Sequence, residues 1–266
     1  MKYGIRILGL LIGIYVLVCL AMFANQESLI FLPEKLPADF KFQHRGNFTE
    51  LDIPVDDDSH INGLLFKTAN PRGLIFYLHG NAGSLKNWGN VAETYNLMGY
   101  DVFIMDYRGF GKSGGNIGSE QQFFSDVQIA YNHMKAQYQE KDIVVIGYSI
   151  GTGPAAKLAA DNNPRLLVLQ APFYSLLDMM DRRYPLVPKF LLKYRFETDK
   201  HLQQCNMPVV IFHGTQDEII PFESAVRLKA FLKPNDSLIP LEGEGHRGIT
   251  ENPVYLDEMR RLLGRS

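Results

Sequence analysis

The stretch from Ile143 to Gly151 constrains the possible folds of this chain more than any other. Its aliphatic residues, Ile143 to Ile146, are typical of a buried strand, and the following Gly-Tyr-Ser-Ile-Gly matches the pattern G-x-S-x-G. The small residues from Thr152 to Ala160 then predict a helix that packs closely on a sheet. A sharp turn between strand and helix would lift the Ser149 hydroxyl clear of the backbone, and glycine on either side leaves room for it. We therefore predict Ser149 as a nucleophile.

Hydrophobic patterning places this turn within a larger alternation of strands and helices. Short apolar runs that alternate with helical segments indicate a mostly parallel sheet covered on both faces. The first two runs, separated by three aspartates and a serine, predict an antiparallel hairpin. The predicted strands are 49–55, 61–66, 74–78, 102–105, 143–146, 166–169, 209–212 and 237–240, and the predicted helices are 85–98, 120–138, the segment after Ser149, 222–232 and 253–263.

A serine hydroxyl needs a base, and the base needs an acid that orients it. Asp217 lies in the loop after the apolar run 209–212, where a carboxylate can orient a histidine at the end of a strand. Glu218 is the alternative acid, and a helix-capping turn is the non-catalytic interpretation of Asp217. His246 follows both the serine and the acid, on a glycine-flanked loop after the run 237–240. We predict the triad Ser149, Asp217 and His246.

Other histidines and the amide donors are placed by the same argument. His79 and His213 each end a strand before a glycine, which favours a hydrogen-bonding role in the turn. Hydrolysis also requires N–H donors aimed at the developing oxyanion. The turn after the strand 74–78 and the residue after the nucleophile are suitably placed, so we predict the backbone N–H groups of Asn81 and Ile150 as the oxyanion hole.

The N-terminus is predicted to be a membrane anchor. Residues 7–24 carry no charge and follow Lys2 and Arg6. As a helix they would span about 27 Å, close to the hydrocarbon thickness of a bilayer. A cleaved signal peptide is the alternative, but cleavage after Ala24 would leave Met22 where a small residue is expected. We expect an uncleaved single-pass anchor (residues 1–24) with a cytoplasmic N-terminus, a linker (25–47) and an exterior catalytic domain (48–266).

Composition excludes several other classes of function. A formal net charge of −2 without a basic stripe argues against a nucleic-acid partner. The segment Gly109–Gly114 matches G-x-G-x-x-G, but no helix opens directly after it, and Asp106 stands where a P-loop needs glycine. The two cysteines, Cys19 and Cys205, predict no internal disulfide. The predicted chemistry requires no metal and no organic cofactor.

Taken together, the motifs resemble the α/β-hydrolase superfamily from about Phe48 to the C-terminus. The resemblance is closest to a membrane-associated branch of serine hydrolases that includes protein depalmitoylases and uncharacterised bacterial proteins. It implies an α/β-hydrolase fold: an eight-stranded, mostly parallel sheet with helices on both faces, and a short cap inserted after the sixth strand, here at about 173–204. The segments that carry it are His79–Gly83, Asp106–Ser113, Gly147–Gly151, His213–Asp217 and Gly245–His246.

The function expected from these residues is hydrolysis of a carboxylic ester or thioester through an acyl-enzyme on Ser149. The expected substrate is a small-molecule or lipid-like acyl compound that enters beside the short cap. A peptidase or amidase with the same triad is one alternative, and a catalytically silent membrane scaffold is another. Reaction with a fluorophosphonate that depends on Ser149 would distinguish an enzyme from a scaffold.

Overall fold

A computed structural model describes residues 2–264 and contains one continuous sheet in the order β1-β2-β4-β3-β5-β6-β7-β8. The mostly parallel eight-stranded sheet predicted from the sequence is confirmed. Each predicted strand is present, with ends that differ by at most two residues. The strands are β1 Asn47–Pro54, β2 His60–Lys67, β3 Leu74–Leu78, β4 Asp101–Met105, β5 Ile143–Tyr148, β6 Leu166–Gln170, β7 Val209–Gly214 and β8 Ser237–Leu241.

The sheet combines an antiparallel edge with a parallel centre. β1 and β2 form the predicted hairpin, with Asn47 opposite Lys67 and Pro54 opposite His60, and β2 pairs antiparallel with β4. All later pairings, from β4-β3 to β7-β8, are parallel. Because the parallel strands end at the same edge, the loops after β3, β5, β7 and β8 can contribute to one site.

Helices cover both faces of the sheet, which explains why β3 is apolar at every position. Phe76 packs in the core on one face together with Tyr131 of a covering helix, whereas Tyr77 packs on the other face. All five residues of β3 are buried. The helices are α1 Lys2–Ala24, α2 Gln26–Ile30, α3 Leu85–Trp88, α4 Ala92–Asn96, α5 Glu120–Lys135, α6 Thr152–Asp161, α7 Leu176–Arg183, α8 Thr198–Leu202, α9 Glu223–Leu228 and α10 Pro253–Gly264.

Three of the predicted helix boundaries are wrong. The predicted helix 85–98 is divided, because residues 89–91 form a 3₁₀ turn between α3 and α4. The backbone of Gly89 approaches the ring of His44 so closely that a β-carbon there would lie 2.7 Å from the His44 Cε1 atom. α5 ends at Lys135 rather than 138, and α9 ends at Leu228 before a 3₁₀ turn over 229–231. α3 and α9 each continue directly into a 3₁₀ turn, which is common at the end of a helix. α5 ends in a hydrogen-bonded turn, in which the Gln137 N–H donates to the Met134 carbonyl oxygen.

The N-terminal segment forms a long helix that continues into a docked linker. α1 is long and apolar enough to cross a membrane. Residues 25–47 then begin with the short helix α2 and pack on the catalytic edge of the sheet through backbone bridges, Pro33 to Gly83 and Lys35 to Gly111. The linker is therefore a structural part of the domain.

The segment between β6 and β7 forms a small cap at the position predicted for residues 173–204. It contains α7, a 3₁₀ turn at Lys189–Leu191, and α8. Asp178 in α7 accepts hydrogen bonds from Arg182 and Arg227, which ties the cap to α9. Phe196 is fully buried against Phe123 and Phe124 of α5. The cap is thus anchored at both of its ends.

Candidate active site

The turn between β5 and α6 holds Ser149 in a strained backbone conformation. Ser149 has a φ angle of 51°, which non-glycine residues rarely adopt. A β-carbon at Gly147 would lie 2.5 Å from the carbonyl oxygen of Gly151 and 2.6 Å from the β-carbon of Ala155. Glycine is therefore required at position 147. The turn points the Ser149 hydroxyl toward the carboxyl edge of the sheet.

His246 lies within hydrogen-bonding distance of this hydroxyl. Its Nε2 atom is 3.0 Å from the Ser149 Oγ atom, although the two residues are far apart in sequence. Two side chains from other segments bind the backbone of His246. The Tyr148 hydroxyl donates to the His246 carbonyl oxygen at 2.5 Å, and the His246 N–H donates to the Glu218 carboxylate at 3.1 Å. The imidazole therefore has a fixed position beside the serine.

Asp217 contacts the other nitrogen of the same imidazole. Its Oδ2 atom is 2.8 Å from His246 Nδ1, while its Oδ1 atom accepts the backbone N–H groups of Ile219 and Ile220 at 2.9 and 2.8 Å. Burial alone would raise the pKa of Asp217, but hydrogen bonds from His213 and His246 outweigh it and hold the pKa well below its ordinary value. Asp217 is therefore ionised at neutral pH, which favours the His246 tautomer with its proton on Nδ1.

Glu218, the alternative acid, contacts the backbone of His246 rather than its ring. The structure thus brings together the three side chains predicted as a triad and assigns Glu218 a supporting position on the same loop. Glu218 also lies close to Gly245, where a β-carbon would be 3.0 Å from the glutamate Oε2 atom. Glu218 fixes the approach of the histidine loop.

His213 makes a contact that sequence reasoning missed. Its Nε2 atom is 2.8 Å from the carbonyl oxygen of Ile220 and 3.2 Å from Asp217 Oδ2. The predicted turn-stabilising role is correct as far as it goes, but the histidine also supports the acid directly. The four-residue spacing between His213 and Asp217 was the available signal, since a tight loop returns such a pair to each other.

Asn81 and Ile150, whose backbone amides are predicted as oxyanion donors, line the same cavity as Ser149. Within residues 2–264 the Asn81 N–H has no hydrogen-bond acceptor. Ile150 occupies the first turn of a 3₁₀ helix, where N–H groups lack an intrahelical acceptor. The docked linker fixes the loop of Asn81, whose side chain accepts from Leu32 N at 3.1 Å and donates to the Ile30 carbonyl at 2.6 Å.

The serine lies in an apolar cavity of about 420 Å³ between the sheet edge, the cap and the N-terminal helices. That volume lies within the range of small-molecule sites. Arg183 is the single charged residue that lines it in the described part of the chain. The lining residues are Cys19, Met22, Phe23, Gln26, Leu29, Ile30, Asn81, Ser149, Ile150, Phe173, Leu176, Met179, Met180, Arg183, Tyr184, Val187, Leu191, Leu192, Ile219 and Ile220.

The glycine-rich loop after β4 has a structural explanation. Gly109 and Gly111 have φ angles of 74° and 50°, and a side chain at Gly111 would collide with the Asp106 carboxylate. That carboxylate accepts the Leu85 N–H at 3.1 Å at the start of α3. Across residues 2–264, no group of three or more His, Cys, Asp or Glu side chains is placed to hold a metal ion.

Comparison with known proteins agrees with this architecture. The family model described as "Serine aminopeptidase, S33" matches residues 69–197. The Pyrococcus furiosus esterase Pf2001 superposes with a TM-score of 0.70 at 20% identity, over 89% of this chain and 97% of the esterase. The chain has the α/β-hydrolase fold, and its sequence resembles those of α/β hydrolases. The resemblance and the fold predicted from the sequence are thereby confirmed.

Sequence relatives of this hydrolase extend the comparison. An uncharacterized protein of Mycobacterium tuberculosis is 27% identical over 253 residues, which cover 92% of this hydrolase and 90% of that protein. The lysophosphatidylserine lipase ABHD12 of Mus musculus is 27% identical over 230 residues. That match covers 74% of this hydrolase and 57% of the lipase. These relatives support the membrane-associated branch, and with the apolar N-terminal helix they fit a single-pass membrane protein.

Proposed function

We propose that this α/β hydrolase is a serine esterase or thioesterase that cleaves lipid-like acyl substrates through an acyl-enzyme on Ser149. The observation that carries the proposal is the continuous chain of contacts from Ser149 Oγ to His246 Nε2 at 3.0 Å and from His246 Nδ1 to Asp217 Oδ2 at 2.8 Å. The series of contacts ends at Ser149, which lines an apolar cavity. A hydroxyl, a base and an ionised acid in that order are the requirements for nucleophilic acyl transfer.

The acylation step follows from these positions. With its proton on Nδ1, facing Asp217, His246 presents the Nε2 lone pair to the serine hydroxyl. As Ser149 Oγ bonds to the acyl carbon, the hydroxyl proton passes to Nε2, and the negative oxygen that forms accepts hydrogen bonds from the N–H groups of Asn81 and Ile150. When the C–O or C–S bond of the leaving group breaks, His246 returns that proton to the leaving alcohol or thiol.

Deacylation repeats the same transfers with water. His246 takes a proton from a water molecule as its oxygen bonds to the acyl carbon, and the ester bond to Ser149 then breaks. The proton moves from Nε2 to Ser149 Oγ, and the carboxylic acid leaves the cavity. Throughout, Asp217 remains ionised and stabilises the imidazolium that forms in each half of the reaction.

The cavity walls favour an acyl substrate over a peptide with a free amino terminus. An aminopeptidase binds a cationic ammonium group, which calls for a carboxylate in the substrate site. Among the described residues, the lining includes no Asp or Glu, and its one charge is the cation Arg183. The aliphatic and thioether side chains around Ser149, such as Leu176 and Met179, instead suit a hydrocarbon chain.

The basic residues before the apolar segment set the proposed orientation. Lys2 and Arg6 precede it, so the N-terminus would stay in the cytoplasm and the catalytic domain would lie on the exterior side. Protease added to intact cells should then digest the domain. Protection of the domain until the cells are lysed would overturn this orientation.

A fluorophosphonate probe tests the enzymatic proposal directly. The full chain in detergent should be labelled at neutral pH, and Ser149→Ala should abolish both labelling and the hydrolysis of nitrophenyl esters. Ser224→Ala is a matched control, because Ser224 is a fully buried serine in α9 and its hydroxyl has no hydrogen-bond partner in the described residues. Equal labelling of wild type and Ser149→Ala, or none of the wild type, would refute the proposal and favour a scaffold.

A further inference from the structure

The N-terminal helix forms one wall of the cavity that contains Ser149. Cys19, Met22 and Phe23, all in the last turns of α1, line the cavity together with residues of the cap. Cys19 is the single buried residue of α1 in the described chain, at 7% exposure. Its neighbours Val18 and Leu20 are 51% and 55% exposed on the outer side. The helix therefore has one face toward the site and the rest toward its surroundings.

Specific polar contacts hold α1 and α2 against the cap. The Tyr15 hydroxyl donates to the Leu186 carbonyl oxygen at 2.7 Å. Gln26 bridges the cap backbone, donating to the Leu191 carbonyl at 2.7 Å and accepting the Lys193 N–H at 2.8 Å. The Lys193 ammonium lies 4.7 Å from the centre of the Phe23 ring. These contacts bridge segments that are distant in the sequence, so they position the anchor on the catalytic domain.

The cap reaches far along the apolar helix. Tyr15 lies nine residues before Ala24, which is about 14 Å at 1.5 Å per residue, roughly half the length of the apolar segment. The cap segment beside it exposes large apolar side chains, since Leu186 and Phe190 are each 80% exposed. Exposed apolar side chains next to a membrane helix are suited to contact with lipid. The tip of the cap would therefore dip into the same leaflet as the end of α1.

From these observations we propose that the membrane anchor is itself part of the acyl-binding site. The acyl chain of a membrane-embedded lipid ester or thioester enters from the leaflet between α1 and the cap, passes Cys19 and Met22, and places its carbonyl at Ser149. This inference rests on the proposed hydrolase function and deepens it. It assigns the substrate class to lipids whose acyl chain stays in the bilayer.

The test changes the cavity wall in the full-length protein reconstituted in phosphatidylcholine vesicles. Cys19→Trp would fill the space beside the acyl path, and Leu20→Trp is the matched control because its side chain points away from the cavity. Hydrolysis of nitrophenyl palmitate and nitrophenyl acetate is measured for each. We expect Cys19→Trp to lower the ratio of kcat/KM for the palmitate to kcat/KM for the acetate at least tenfold, and Leu20→Trp to leave that ratio unaltered.

A second variant keeps the result decisive if tryptophan disturbs folding. Met22→Ala enlarges the same wall, so the preferred acyl length in a series of nitrophenyl esters should move to longer chains. The inference is overturned if Cys19→Trp matches Leu20→Trp in the palmitate-to-acetate ratio, or if Met22→Ala leaves the chain-length profile unaltered. Failure of the hydrolase proposal itself is distinguishable, because ester hydrolysis would then be absent from the wild type or would persist in Ser149→Ala.

Discussion

Replacing Asp217 by asparagine changes the identity of one terminal atom while preserving the shape of the site. In the native protein Oδ1 accepts two backbone N–H groups, from Ile219 and Ile220, and Oδ2 faces His246 Nδ1. An asparagine must keep its carbonyl oxygen toward the two amides, because its NH2 group would otherwise meet two donors. The NH2 group is therefore directed at His246 Nδ1.

That orientation reverses the tautomer of the base. When the NH2 group of the introduced asparagine donates to Nδ1, the imidazole proton moves to Nε2, which then faces Ser149 Oγ as a donor and has no lone pair for the hydroxyl proton. Loss of the correct tautomer in a serine triad lowers kcat by about 10⁴. At about 1.36 kcal/mol for each factor of ten, this is about 5 kcal/mol of transition-state stabilisation.

Steady-state hydrolysis of nitrophenyl butyrate at neutral pH measures this loss, and Glu218→Gln serves as the control. Glu218 accepts the His246 backbone N–H, and a glutamine oxygen can still accept it. We expect Glu218→Gln to retain more than a tenth of the activity. The reasoning is refuted if Asp217→Asn keeps more than a tenth of wild-type kcat, or if Glu218→Gln is the more damaged variant.

Two further predictions concern the folded state. Gly151→Ala should lower the free energy of unfolding by about 3 kcal/mol in urea titrations, because the new β-carbon would collide with the Leu78 carbonyl oxygen and lie 2.7 Å from the His79 carbonyl oxygen. In the control Gly118→Ala, the new β-carbon meets only a side-chain oxygen at 3.4 Å, so the free energy of unfolding should fall by less than about 1 kcal/mol. Equal losses in the two variants would contradict the argument. Burial, with Lys157 nearby, lowers the pKa of His201 to about 4. Between about pH 6.5 and about pH 4 the unfolded chain therefore binds a proton at His201, whereas the folded chain does not. The free energy of unfolding consequently falls as the pH is lowered through this range. Across that range the free energy of unfolding of His201→Gln, measured by thermal melts, should fall by about 2 kcal/mol less than that of the wild type, with the partial solvent exposure of His201 taken into account. Parallel pH profiles of the two proteins would show that His201 does not contribute.

The sequence by itself determined where the strands and the turn at Ser149 lie. Apolar runs such as Leu74–Leu78 and Ile143–Ile146 are buried on both sides, and this burial gives central parallel strands a signal that does not depend on their neighbours. The turn Gly147–Gly151 can also be predicted from the sequence, because its conformation depends on local residue types. The roles assigned to Ser149, Asp217 and His246 remain predictions, although the fold brings these side chains into contact.

Only the tertiary structure decided the strand order, the helix interruption at Gly89 and the second histidine beside Asp217. The first two depend on contacts between distant segments, since β4 inserts between β2 and β3 and Gly89 meets His44. The contact of His213 with Asp217, four residues later, depends on how the loop between them folds back. The packing of α1 on the cap also depends on contacts between distant segments. The sequence predicts a membrane span for an apolar helix of this length whether or not the helix packs on another segment. Its hydrophobicity indicates a bilayer environment but carries no information about which residues of the cap it contacts.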